Sequence, residues 1–107
     1  MTAQRISVAL PTDDLTAAVE WWSRTLGAEP TFVDGDRWAQ FDLAGSRLAL
    51  MGSDRVGAGP VTMVKVDDLD TAVKEQGARF GPVERGPHER RALGTDPSGN
   101  AVVLYGS

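Results

Sequence analysis

Asp96-Pro-Ser-Gly-Asn-Ala-Val-Val-Leu-Tyr-Gly106 is the stretch from which the fold is read. Pro97 fixes one φ angle, and Gly99 and Asn100 tolerate the left-handed region, so the first half is a tight turn. Ala101 to Tyr105 is apolar and rich in β-formers, which predicts a strand launched by that turn. A similar segment lies 54 residues earlier, where Gly45-Ser-Arg-Leu-Ala-Leu-Met-Gly52 aligns with Gly99-Asn-Ala-Val-Val-Leu-Tyr-Gly106. Asp67-Asp68-Leu69 repeats Asp13-Asp14-Leu15 at the same offset, and Ala72-Val73 repeats Ala18-Val19. The chain therefore reads as two copies of one unit.

Each copy reads as strand, helix, three strands. In the first, Ile6, Val8 and Leu10 alternate with Ser7 and Ala9, the period of a strand. Asp13 or Asp14 caps a helix with a core face of Leu15, Ala18, Val19, Trp22 and Leu26, stopped by Gly27. Phe32-Val33, Trp38–Leu43 and Arg47–Met51 follow as strands, with turns at Asp34-Gly35 and Ala44-Gly45. Gly52 to Pro60 is a Gly-rich connection without periodicity, so the modules are residues 1–52 and 61–107, with a linker at 53–60, in a single domain. In the second copy, Val61–Val66 is a strand, and a helix about one turn shorter ends at Gly77. Arg79–Val83 and Arg90–Thr95 read as strands around a polar loop, Glu84 to Glu89. The expected class is α+β: two βαβββ modules whose mixed sheets form a partly open, barrel-like cleft.

Alternation assigns faces. Ala39, Phe41 and Leu43 form one apolar set, which leaves Trp38 and Gln40 for the face away from the helix. Arg47, Ala49 and Met51 share that face, as do Val61, Met63 and Lys65 in the second copy. Val103 and Tyr105 face the same way in the last strand, and only one of Arg90 and Arg91 can join them. Trp38, Gln40, Arg47, Met51, Met63, Arg91 and Tyr105 are thus the candidate ligand-binding residues: rings and sulfurs as walls, with a few polar anchors. Trp21 and Trp22 lie on the amphipathic helix and read as packing residues, Trp21 at an edge or a dimer contact.

Composition narrows the function. Net charge is −4, with nine arginines scattered among fifteen acids, which argues against a nucleic-acid partner. No apolar run approaches a membrane span and no signal-peptide pattern opens the chain, so the expected location is cytoplasmic. With no cysteine there is no thiolate ligand or nucleophile. The Gly-rich linker lacks the Lys-Ser/Thr ending of a phosphate loop. His88, the sole histidine, has no carboxylate or Ser partner at a recognisable spacing.

The duplicated unit, the Asp-Leu helix openings, Trp21-Trp22 with Leu26-Gly27, and Asp96-Pro97-Ser98-Gly99-Asn100 resemble the vicinal oxygen chelate superfamily of glyoxalases, bleomycin-resistance proteins and extradiol dioxygenases. The resemblance spans nearly the whole chain. It implies metal-ligand positions at Ser7, Ala49, Val61 and Val103, none of which carries an imidazole or carboxylate. It therefore points to the metal-free, bleomycin-resistance-like branch, with no cofactor and no catalytic residue. The expected function is sequestration of an aromatic or antibiotic-like small molecule by a homodimer. The alternatives are a metal-free lyase or isomerase, for which Lys65, Asp42, Tyr105 and His88 are the available acid–base groups, and an interaction module without a small ligand.

Overall fold

The computed structural model describes residues 2–107. Two compact units divide the chain: Ser7–Pro60, and Val61–Ser107 joined by the described residues up to Ile6. The units contain β1 (Ala3–Pro11), α1 (Leu15–Leu26), β2 (Phe32–Asp34), β3 (Trp38–Leu43) and β4 (Ser46–Met51), then β5 (Val61–Val66), α2 (Leu69–Gln76), β6 (Glu84–Arg85), β7 (Arg90–Thr95) and β8 (Ala101–Gly106). The class is α+β with mixed pairing, built from two βαβββ sets as expected.

The two sets repeat the same connectivity. Within one unit the strands run in the order β2-β3-β4-β1, and within the other β5-β8-β7-β6. β1 lies parallel to β4, and β5 parallel to β8. The remaining pairs inside each set are antiparallel. Even the backbone repeats: Gly45 and Gly99, which open the last strand of each set, share a φ of +84°. A side chain there would be strained, which is why the aligned position is glycine twice.

Each helix starts on the second aspartate of its pair. Asp14 Oδ1 accepts from the Ala17 amide at 3.1 Å, and Asp68 Oδ1 from the Thr71 amide at 3.1 Å. These are N-cap bonds that satisfy an orphan helical N–H. The first aspartates do other work. Asp13 pairs with Arg55 at 3.1 Å, and Asp67 Oδ1 accepts from the Thr2 amide at 2.9 Å. α1 has 12 residues and α2 has 8, the one-turn difference expected.

Each helix covers one face of its own strands. Leu15 packs with Ala39, Phe41 and Leu50, and Leu10, Ala18, Val19, Trp22 and Leu26 complete the cluster. Leu69 and Ala72 pack with Val66 and Leu104, joined by Val64, Val73, Phe80, Val83 and Val102. Burying a Leu or Phe of this kind contributes about 1.5–3 kcal/mol. These clusters fix the register of every strand they touch, because a slip of one residue would bring a polar side chain under the helix.

One segment departs from the expectation. Residues 79–83 are not a strand: Gly77–Arg79 is a 3₁₀ turn, and Phe80 makes an isolated bridge to Gly94. Glu84–Arg85, expected in a loop, is β6 and pairs with Arg90–Arg91. The reason is packing. Phe80 and Val83 sink into the α2 cluster as separate anchors, so the chain cannot stay extended until it has passed them.

Candidate functional site

The face of the Ser7–Pro60 unit opposite α1 is set by the hairpin β2-β3. Phe32 lies opposite Gln40, and Asp34 opposite Trp38. Directly opposed residues of antiparallel strands share a face. On the next strand Met51 stands opposite Trp38, Ala49 opposite Gln40, and Arg47 opposite Asp42. Trp38, Gln40, Arg47 and Met51 are therefore gathered on one surface, with Ala9 beside Ala49.

Trp38 and Gln40 form a pair. The indole N–H donates to Gln40 Oε1 at 3.2 Å, and both side chains are half-buried. Satisfying the N–H within the protein leaves the ring face as what the indole offers. Phe32 is 40% exposed on the same surface. Arg47 is committed to Asp42, with Nε to Oδ1 at 2.7 Å and Nη2 to Oδ2 at 3.3 Å. Thr31 Oγ1 donates to Asp42 Oδ2 at 2.5 Å. The fork holds Arg47 rigid, so its guanidinium is presented in one orientation.

On the Val61–Ser107 unit, the face opposite α2 carries the remaining candidates. Lys65 lies opposite Tyr105, Tyr105 opposite Arg91, and Arg91 opposite Glu84. Met63, Val103 and Leu93 form the adjacent row. Arg91 is thus the arginine of its pair on this face. Arg90 points to the other side and forks onto Asp70 at 3.2 and 3.0 Å, which holds its protonated form above the ordinary arginine range. Met51, Met63 and Tyr105 are buried, while Arg47 and Arg91 are half-buried.

The sequence reading did not place Phe32 on the face of Trp38 and Gln40, which it shares. Counting outward from the Asp34-Gly35 turn places it opposite Gln40, so the signal was present in the hairpin register. Glu89 was also missed. It pairs with Lys65 at 3.5 Å through a four-residue turn, a long-range closure that periodicity does not encode.

The positions implied as metal ligands do not fit that role. Ser7 offers a buried hydroxyl, and Ala49, Val61 and Val103 offer buried hydrocarbon. Among the described residues no group of three or more His, Cys, Asp or Glu side chains is placed to hold an ion. Asp68 and Asp96 have carboxyl groups held below the ordinary 3.8, but their partners are local. Asp68 accepts from the Thr71 amide and hydroxyl, and Asp96 from the Asn100 side chain and amide and the Ser98 amide. Both serve turns. No described helix is long and apolar enough to cross a membrane.

Residues 5–104 match the family model described as Glyoxalase/Bleomycin resistance protein/Dioxygenase superfamily. An uncharacterized protein of Mycolicibacterium smegmatis is 36% identical over 104 residues, covering 92% of this chain and 89% of the relative. Among solved structures, an NAD-dependent benzaldehyde dehydrogenase from Legionella pneumophila superposes with a TM-score of 0.81 at 15% identity, covering 94% of this chain and 96% of that one. A glyoxalase/bleomycin resistance protein/dioxygenase superfamily member from Vibrio splendidus superposes with a TM-score of 0.72 at 17% identity, covering 97% and 98%. At these identities the structural likeness is one of fold.

Proposed function

The chain belongs to the glyoxalase/bleomycin resistance protein/dioxygenase superfamily, and from that premise we propose that it binds a flat, aromatic or antibiotic-like small molecule without altering it. The carrying observation is the Trp38–Gln40 pair, an indole whose N–H is already satisfied at 3.2 Å. A ring held this way is prepared for stacking, and Phe32 on the same surface supplies a second aromatic edge. Arg47, fixed by Asp42, orients the guest, and Met51 packs beside Trp38 on the same face. The absence of imidazole and carboxylate at Ser7, Ala49, Val61 and Val103 supports a metal-independent mode. The working form in this reading is a cytoplasmic homodimer whose biological role is sequestration.

The test is tryptophan fluorescence with metal-free bleomycin as the probe. The expected result is saturable quenching at one probe per chain, lost in Trp38→Phe and retained in Trp21→Phe, with the probe recovered at unchanged mass. Quenching that survives Trp38→Phe sinks the proposed surface. A probe recovered chemically altered sinks the non-catalytic reading. Native mass spectrometry of the same sample should give two chains per complex and no stoichiometric divalent ion.

A further inference from the structure

The row Lys65, Tyr105, Arg91 on the Val61–Ser107 unit, of which Arg91 and Tyr105 belong to the candidate ligand-binding set, takes no part in the Trp38 surface. Two cations flank a phenol there on three adjacent strands. Neighbouring strands lie about 4.8 Å apart, so the two cationic stems stand on either side of one ring. Both side chains reach the same short turn. Lys65 Nζ lies 3.5 Å from Glu89 Oε1. A β-carbon added at Gly86 would lie 3.2 Å from the Arg91 guanidinium carbon, so Arg91 rests against the first residue of that turn. The Gly86 amide donates to the Glu89 carbonyl at 2.9 Å, closing the turn on itself.

We propose that Lys65, Arg91 and Tyr105 form a binding site for a carboxylate-bearing ligand, and that Glu89 is the built-in competitor occupying it. The Lys65–Glu89 pair is longer than the 2.7–2.9 Å typical of a charge-assisted hydrogen bond, and both partners are more than a third exposed. Such a pair is readily exchanged. Glu84, opposite Arg91, is the other acid on this row. With Glu89 seated, two cations meet two carboxylates and the face is neutral. With Glu89 displaced, it carries a net positive charge beside the Tyr105 hydroxyl. A ligand carboxylate restores the balance that Glu89 supplied. This site goes beyond the Trp38 surface and does not rest on it.

The experiment is amide NMR of the full chain titrated with sodium benzoate, with benzamide as the uncharged match and sodium acetate as the ringless match. Benzoate and acetate should shift the amides of Lys65, Arg91 and Tyr105 saturably, and benzamide should leave them in place. Glu89→Gln should tighten benzoate by about fivefold, the upper end for an exposed ion pair. Lys65→Met should abolish the preference for benzoate over benzamide. Equal shifts from benzamide and benzoate overturn the carboxylate site, whatever Trp38 does. So does an unchanged benzoate affinity in Glu89→Gln, an exposed substitution that leaves the fold intact.

Discussion

Asp96 shows how much one exposed side chain can organise. Its Oδ1 accepts from the amides of Ser98 and Asn100 at 2.9 Å each, and Oδ2 from the Asn100 side chain at 2.9 Å. The charged form is the one these donors favour, so its carboxyl ionises below the ordinary 3.8. Asp68 is shifted the same way by Thr71. In the range just below 3.8 the unfolded chain binds more protons than the folded one, so stability falls as pH drops. Their contribution is complete above the unfolded value and is lost as pH falls through the lower folded values. Urea midpoints measured from pH 6 downward should therefore show an acid limb, flattened in the double variant Asp68→Asn, Asp96→Asn. An unchanged limb in that variant would remove the linkage. At Gly106 the argument is steric: φ is +141°, and a β-carbon would sit 2.3 Å from the Val66 carbonyl oxygen. Gly106→Ala should shift thermal unfolding down by several degrees, whereas Gly59→Ala, with open space around it, should not.

At the scale of elements, caps and clusters divide the labour. Asp14→Ala removes the N-cap of α1 and should cost about 1 kcal/mol in chemical denaturation. Phe41 is 1% exposed at the centre of the α1 cluster, and Phe41→Ala should cost about 3–5 kcal/mol, enough to populate the unfolded chain. Elements also show what the sequence could and could not disclose. β3 and β4 were legible because Ala39, Phe41 and Leu50 keep strict alternation over a turn with a glycine signal. The region from Arg79 to Arg85 was not, because Phe80 and Val83 are three residues apart and serve a helix from an irregular path. Gly94 had no local signal either; its role is to let Phe80 approach, since a β-carbon there would meet the ring at 2.4 Å. Gly94→Val should release Phe80, seen as loss of its ring shifts in the aromatic NMR spectrum.

For the molecule as a whole, the internal repeat was the decisive clue, and it survives as matched connectivity in the two sets. The repeat carries fold and not function: aligned positions hold Arg47 and Ala101, or Met51 and Tyr105, so the two faces have diverged in chemistry. That is why face membership of Trp38, Gln40, Arg47, Met51, Met63, Arg91 and Tyr105 could be read by counting, while their partners could not. Arg47 with Asp42, Lys65 with Glu89, and Trp38 with Gln40 are choices made by side-chain reach across strands. They decide which groups remain available to a guest.

β1 has a consequence for how the gene can be cut. Its early residues serve the unit that ends at Ser107, with the Asp67 amide donating to the Thr2 carbonyl, while Val8–Pro11 pair with β4. A protease nick within 53–60 would therefore leave the fragment from Val61 without the early residues its unit uses, while the other fragment keeps both Val8–Pro11 and β4. Expressed alone, the fragment from Val61 should be unstructured by circular dichroism; mixed with the fragment that carries β1, it should recover the native spectrum, making the chain a natural candidate for split-protein complementation.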